Sequence, residues 1–174
     1  MTQKSCMETW TLADGTKLNI RPISPADAEL EQAFVRGLSR QSRYYRFHNA
    51  IKELSPKQLA ALTHPDSENA AALIVVRESG GTEEEIAVAR YVICPDRKSC
   101  EFAIVVADAW QKHGLGTRLL QALIAHAQAR GLSRIYDAVF ASNLAMRNLA
   151  ARMGFVESTC ADDPALIVIA KSLA

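Results

Sequence analysis

The chain has 174 residues, of which 49% are hydrophobic and 22% charged, enough apolar material for one full core within the usual length of a single domain spanning 1–174. Twenty basic against nineteen acidic side chains leave a formal charge of +1, so no global field draws the chain toward nucleic acid or an anionic membrane. No stretch approaches the roughly 18 apolar residues of a membrane span, and the start lacks an apolar run of signal length. The expectation is a cytoplasmic protein, monomer or homodimer, that recognises its partners locally.

The four cysteines, Cys6, Cys94, Cys100 and Cys160, form no Cys-x-x-Cys pair and have no zinc-like histidine spacing, so a structural metal is not expected. Cys94 and Cys100 flank a turn, but in a reducing cytosol buried thiols are commoner than disulfides.

In chain order, residues 1–12 read as an N-terminal extension, flexible or strand-forming. Alternation at Leu18-Asn19-Ile20-Arg21 predicts a first strand. Ser24, Pro25 and Asp27 read as N-cap, first helical position and capping acid of a helix reaching about Arg36. Residues 39–50 mix Arg40, Arg43 and Arg46 with Tyr44, Tyr45 and Phe47; helix and ordered loop both fit, and helix is the reading taken. Ser55-Pro56-Lys57-Gln58 repeats the start signal for a short helix whose apolar side is Leu59 and Leu62. Then come Ala72 to Arg77, a Ser79-Gly80-Gly81 turn, Glu85 to Cys94, a turn at Pro95-Asp96-Arg97-Lys98, and Glu101 to Ala107, an antiparallel meander.

The loop Gln111-Lys112-His113-Gly114-Leu115-Gly116-Thr117 follows the last of these strands and opens a helix whose apolar positions are Leu115, Leu119, Leu120, Leu123, Ile124 and Ala127, with Gly131 as stop. At a helix start the first backbone N–H groups lack intrahelical partners and sit at the positive end of the helix dipole. Two glycines spaced Gly-x-Gly let several such amides converge on a diphosphate. A Rossmann fingerprint would need a third glycine where Leu119 stands, and no Gly-x-x-x-x-Gly-Lys-Ser/Thr run exists. A nucleotide-tailed cofactor is indicated, with a simple tight turn as the bland alternative. Ile135 to Phe140 is then a strand parallel to Glu101 to Ala107 through a right-handed crossover, Asn143 caps a helix to Met153, and Leu166 to Ala170 closes the sheet.

Taken together, Glu101-Phe102-Ala103-Ile104-Val105-Val106, Gln111-x-x-Gly114-x-Gly116, Asn143 and Gly154-Phe155 closely resemble the GNAT superfamily of acyl-CoA-dependent N-acetyltransferases. Upstream, Leu38-Ser39-x-x-Ser42-Arg43-Tyr44-x-Arg46-Phe47 resembles the acetyltransferase domain of bacterial Pat-type protein-lysine acetyltransferases. The resemblance implies an α/β (α+β) GNAT fold: a mixed, mostly antiparallel sheet of six to seven strands, a central parallel pair splayed around the cofactor, and about four flanking helices. It implies acetyl-CoA as cofactor and a primary amine as acceptor, a protein lysine or a small amine. A non-catalytic acyl-CoA sensor is the alternative from another class.

By the same resemblance, Gln111, Lys112, His113, Gly114, Leu115, Gly116 and Thr117 grip the diphosphate, and the backbone of Ile104, Val105 and Val106 lies along the pantetheine arm. Asn143 matches a cofactor-contacting asparagine, although helix capping alone explains its type equally well. A lysine-like amine is neutral in only about one molecule in two thousand at pH 7, so a base is useful. Glu101 occupies the family's base position; burial beside Phe102 and Ala103 is expected to raise its pKa. Arg43, Tyr44 and Phe47 are candidates for the acceptor side, with packed aromatics and solvated arginines as the plain alternative. Two departures stand out. Ala150 occupies the position of a tyrosine that protonates the leaving thiolate in many relatives, leaving Tyr44, Tyr45, Tyr91 or no dedicated acid. Ala87 stands where relatives often carry glycine.

Overall fold

The structure is a computed structural model in which residues 7–173 are described. Eight strands form one sheet in the order β1-β2-β3-β4-β5-β6-β8-β7. The strands are β1 Glu8–Thr11, β2 Lys17–Pro22, β3 Ala70–Ser79, β4 Thr82–Ile93, β5 Ser99–Val106, β6 Arg134–Phe140, β7 Val156–Thr159 and β8 Leu166–Ser172. Among the described residues five α-helices flank it: α1 Ala28–Gly37, α2 Arg40–Phe47, α3 Pro56–Thr63, α4 Leu115–Ala129 and α5 Leu144–Arg152. The fold class and the mostly antiparallel pairing agree with the sequence reading, while the strand count exceeds the expected six to seven and the helix count the expected four. Both extra strands, β1 and β7, are four residues long and lie at the sheet edges, where one unpaired side and mostly exposed side chains leave little hydrophobic pattern to read. The uncertain segment 39–50 is helical over Arg40–Phe47, started by Ser39, whose Oγ accepts from the Ser42 amide at 3.1 Å.

Two cores lie on opposite faces of the sheet. On one, α4 turns Leu115, Leu119, Leu120, Leu123, Ile124 and Ala127 inward against Ala87, Ala89, Tyr91, Phe102 and Ile135. Burying each of those leucines contributes about 1.5–3 kcal/mol, so the stripe read from the sequence is what seats the helix. On the other, Phe34, Val35 and Leu38 of α1 and Leu54 pack on Ile74, Val76 and Val88. Ions are buried here too. Arg21 grips Asp27 with two bonds of 2.8 and 2.9 Å and reaches Glu83 at 2.7 Å, which pins the turn before α1 to the sheet.

What positions the site is the pairing of β5. Its β4 edge is laddered from Ile93↔Cys100 to Ala87↔Val106. Its β6 edge is laddered in parallel only at Ser99↔Arg134, Cys100↔Ile135 and Glu101↔Tyr136. Beyond that last rung β6 stays with β8, through Phe140↔Leu166, and the two parallel strands separate. Main-chain groups of Phe102 to Val106 on that edge therefore face a gap rather than a neighbouring strand.

Candidate active site

The gap opens into a cleft of about 530 Å³. Its floor is the β5 segment Ile104, Val105 and Val106; one wall is the loop Gln111, Lys112, Gly114, Gly116 and Thr117. A second wall is the β6–α5 junction at Ser142 and Asn143, and α2 forms the roof. Thus nine of the eleven residues expected to touch the cofactor line one cavity, counting Ile104, Val105, Val106, Gln111, Lys112, Gly114, Gly116, Thr117 and Asn143. The other two do not: Leu115 is 1% exposed in the α4 core, and the exposed His113 turns Nδ1 back to the Gln111 carbonyl at 2.8 Å.

The loop geometry explains the glycines. Gly114, the N-cap of α4, has φ +81°, in the left-handed region where a side chain is strained, and Lys112 just before it has φ 65°. The first intrahelical bond runs from the Arg118 amide to the Gly114 carbonyl at 3.2 Å, so the Leu115, Gly116 and Thr117 amides precede the helical ladder. At Gly116 an added Cβ would stand 3.3 Å from Leu149 Cδ2 and 3.8 Å from Val106 Cγ2, so α4 and α5 approach closely there and Leu149 would have to shift to admit a side chain. Gln111 Nε2 bonds the Val106 carbonyl at 3.2 Å and ties the loop to the end of β5. These features fit the diphosphate and pantetheine of a coenzyme A thioester: clustered main-chain donors, a free strand edge, and the Lys112 charge at the rim.

Asn143 is the α5 cap and also lies on the cleft wall; its Oδ1 accepts from the Met146 amide at 3.2 Å. Ala150 is fully buried, and its carbonyl accepts from the Phe155 amide at 3.0 Å, so that position belongs to the core. Of the tyrosines weighed as the acid, Tyr91 is 1% exposed with its hydroxyl 2.8 Å from His126 Nδ1, on the α4 side. Tyr44 is exposed and stacks on Phe140 at 4.9 Å, whereas Tyr45 lines the cleft and bonds Ser142 Oγ at 3.2 Å.

The α2 side chains sort differently from the sequence reading. Arg43 caps the end of α1: its guanidinium bonds the carbonyls of Leu38, Arg36, Val35 and Ile51, the last at 3.0 Å. Phe47 packs on the α1 core under the Arg46 guanidinium. The face toward the cleft is Gln41, Ser42, Tyr45 and Arg46, an i, i+1, i+4, i+5 stripe that helical periodicity supplies once the segment is known to be helix. Asp108 clamps α2 in place, accepting from the Ser39 amide at 2.8 Å and from the hydroxyls of Ser39 and Ser42 at 2.7 and 2.8 Å. Burial raises that carboxyl's pKa, but these bonds outweigh it and hold the group below the ordinary value.

Glu101 stands at the last parallel rung, the apex of the splay, and its side chain is exposed. The expected partial burial is therefore corrected: pairing on both edges covers the backbone there, while the side chain projects toward solvent. A half-buried carboxyl stands on the facing strand. Asp137, the first β6 residue past the apex, has its pKa raised to about 7 by burial and the Glu101 charge, against the opposing pull of the Ala138 amide and Arg46. Arg46 itself is lowered to about 10, by burial first and then by Arg90. Arg90, buried under α1, bonds Glu31 Oε1 at 3.0 Å and the Leu62 carbonyl at 2.9 Å. Beside them Glu85 is pushed well above the ordinary carboxylate range, by burial and by the Glu31 charge. Sequence reading missed Asp137 because a single aspartate in an apolar strand has no local pattern to mark it.

The model of the acetyltransferase (GNAT) family matches residues 34–155. The chain is 34% identical to acetyltransferase PA5475 of Pseudomonas aeruginosa over 91% of its own length and 85% of that protein. It is 30% identical to acetyltransferase Pat of Mycolicibacterium smegmatis over 79% of its length, and this match spans 40% of that relative. In three dimensions it matches the crystal structure of the GNAT domain of S. lividans PAT with a TM-score of 0.84 at 28% identity, covering 95% of this chain and 96% of that one. A splayed parallel pair, a glycine loop on a helix start, and these likenesses together place the chain in the GNAT acetyltransferase family.

Proposed function

We propose that the protein transfers an acetyl group from acetyl-CoA to a primary amine, with a protein lysine as the acceptor favoured by the likeness to Pat proteins. Transfer is direct, with donor and acceptor bound together. The observation that carries this reading is one cleft that joins the start of α4 to the free edge of β5 at Ile104 to Val106, on the strand whose last parallel rung is at Glu101.

When bound, the thioester supplies an activated acyl carbon; the rest is the work of the chain. Residues 111–117 hold the diphosphate through main-chain donors that need no reorganisation. The unpaired edge of Ile104 to Val106 orients the pantetheine arm and offers an N–H to the carbonyl oxygen as charge develops there. Glu101 is the general base, acting directly or through a water, and its exposure lets it meet an acceptor arriving from solvent. Tyr45, the candidate hydroxyl on the cleft wall, supplies a proton toward the departing sulfur. A thiol of pKa about 8.5 leaves readily even without that help.

The test is acetyl-CoA consumption over a panel of lysine peptides, polyamines and amino acids, with Glu101→Gln beside the parent. We expect turnover on at least one primary amine and a fall of about 10²- to 10⁴-fold in the variant at pH 7. Unchanged turnover in Glu101→Gln would remove Glu101 as base. Saturable binding without turnover on any acceptor would instead support the acyl-CoA sensor.

A further inference from the structure

We propose that Arg46 selects the acceptor: its guanidinium, on the wall of the cleft and without a protein partner, takes a carboxylate that the acceptor carries close to its reacting amine. The carboxylate is an Asp or Glu side chain beside a protein lysine, or the α-carboxylate of a small amino compound. This rests on the acetyl-transfer reading above and narrows its substrate class.

The three arginines of α2 are placed differently. Arg40 is exposed, and Arg43 bonds the carbonyls around the end of α1. Arg46 is half-buried and lines the cleft, its guanidinium lying over the Phe47 ring at 4.8 Å. Among the described residues that guanidinium has no hydrogen-bond or ion-pair partner. A guanidinium offers five N–H donors, and a cation held partly out of water is costly until something answers it. Burial lowers its pKa to about 10, which still leaves it charged at neutral pH.

The carboxylates around it do not supply the answer. Glu31 of α1 pairs with Arg90 at 3.0 Å. Asp108, the carboxylate of the cleft lining, accepts from the hydroxyls of Ser39 and Ser42 and from the Ser39 amide. Asp137 acts on Arg46 through space, with no ion pair between them. Lys112 and Arg152, the other cations of the lining, are exposed and stand on the glycine loop and at the end of α5.

The strand register relates Arg46 to the proposed base. Side chains alternate along a strand, so the rung Glu101↔Tyr136 sets Glu101, Tyr136, Ala138 and Phe140 on one face of the sheet. Phe140 stacks on Tyr44 at 4.9 Å and lies 4.7 Å from His48, so α2 covers that same face. One side of the sheet thus offers a carboxylate to an ammonium and a guanidinium to a carboxylate. The helix that presents Arg46 is held in advance, by Asp108 at its start and by the Phe140 ring at its end, so little order is lost when the carboxylate arrives. An acceptor bearing both charges is answered at both, with the planar fork of the arginine suited to a bidentate grip. A polyamine carries only cations and is repelled at Arg46, which makes the residue a device of rejection as well as of attraction.

The experiment measures initial rates at saturating acetyl-CoA on two matched pairs of acceptors, with spermidine alongside. The first pair is a short capped lysine peptide with glutamate beside the lysine and the same peptide with glutamine there. The second is Nα-acetyl-lysine and its amide. Parent, Arg46→Gln and Arg46→Lys are compared. We expect the parent to favour the carboxylate member of at least one pair by about 10- to 100-fold in kcat/KM, mostly through KM, and to use spermidine least. Arg46→Gln should bring that ratio to within about twofold of one, and Arg46→Lys should keep part of it. A preference in the peptide pair assigns the carboxylate to a protein, and a preference in the second pair assigns it to a small acceptor; each supports the proposal. Equal rates within both pairs in the parent would overturn it whatever the variants do, as would a preference that Arg46→Gln leaves intact. No turnover of any acceptor by protein that binds coenzyme A in calorimetry would refute acetyl transfer and this selection with it. Turnover without preference refutes the selection alone, so the two failures are distinguishable.

Discussion

The two ends of the cleft are built from different parts of the chain. At the α4 end the contacts are main-chain amides held by Gly114 and Gly116, which carry no titratable proton and change little with pH or salt of moderate strength. Toward the apex the groups are side chains: Arg46 of α2 lines the cleft, beyond it stand Glu101 on β5 and Asp137 on β6, and the Arg46 charge depends on Arg90, Glu31 and Asp137. A backbone site is preorganised by conformation alone, whereas a side-chain site depends on the packing around it. Under the proposed function the first would hold a constant donor and the second a particular acceptor.

The largest effect expected from breaking this comparison is at the charged end. Arg90→Met leaves Glu31 without its cation inside the α1 core and should cost about 3–5 kcal/mol in urea unfolding. A loss under 1 kcal/mol would show that the buried charges neutralise one another by proton uptake instead. The next effect separates stability from activity. The pKa of Asp137 is higher folded than unfolded, so its contribution is present at low pH and lost as pH rises from about 4 through about 7. Asp137→Asn should therefore gain about 1–3 kcal/mol over the parent at pH 8, after allowance for partial exposure, and much less at pH 5. A variant less stable than the parent at both pH values would contradict this.

The α4 end should respond in binding rather than in pH. Gly114→Val places a branched residue at φ +81° and should cost about 1–2 kcal/mol of stability together with at least tenfold in acetyl-CoA affinity, with no new pH dependence. The smallest effect expected is at His113. Its ring is spent on the Gln111 carbonyl outside the cleft, so His113→Ala should bind acetyl-CoA within about twofold of the parent, less than 0.5 kcal/mol. A larger loss would bring this residue back into the diphosphate site.

The same contrast governs what the sequence disclosed. The α4 stripe and the glycine loop were legible because helical period, an N-terminal anion site and positive φ are local properties, readable from neighbours in the chain. The β3 to β5 meander was legible for the same reason, in strands long enough to alternate. Strand β7 was not, and β1 only as one of two readings of residues 1–12, since both are short edge strands. At the apex, Glu101 was singled out through family likeness, and its exposure was misjudged because the apolar residues beside it point to other places. Asp137 and the Gln41, Tyr45, Arg46 face became visible only when β6 and α2 were set across the gap. Arg43 shows the converse: an arginine in a functional-looking run whose four carbonyl partners give it a structural task.

The central claim is that main-chain donors at the start of α4 and the free edge of β5 form a coenzyme A site. Isothermal calorimetry of the folded protein with coenzyme A tests it most directly, with Gly116→Val beside the parent because a side chain there meets Leu149 and Val106. The account predicts one saturable site in the parent and at least a tenfold weaker one in the variant; no heat of binding from folded parent protein would contradict it.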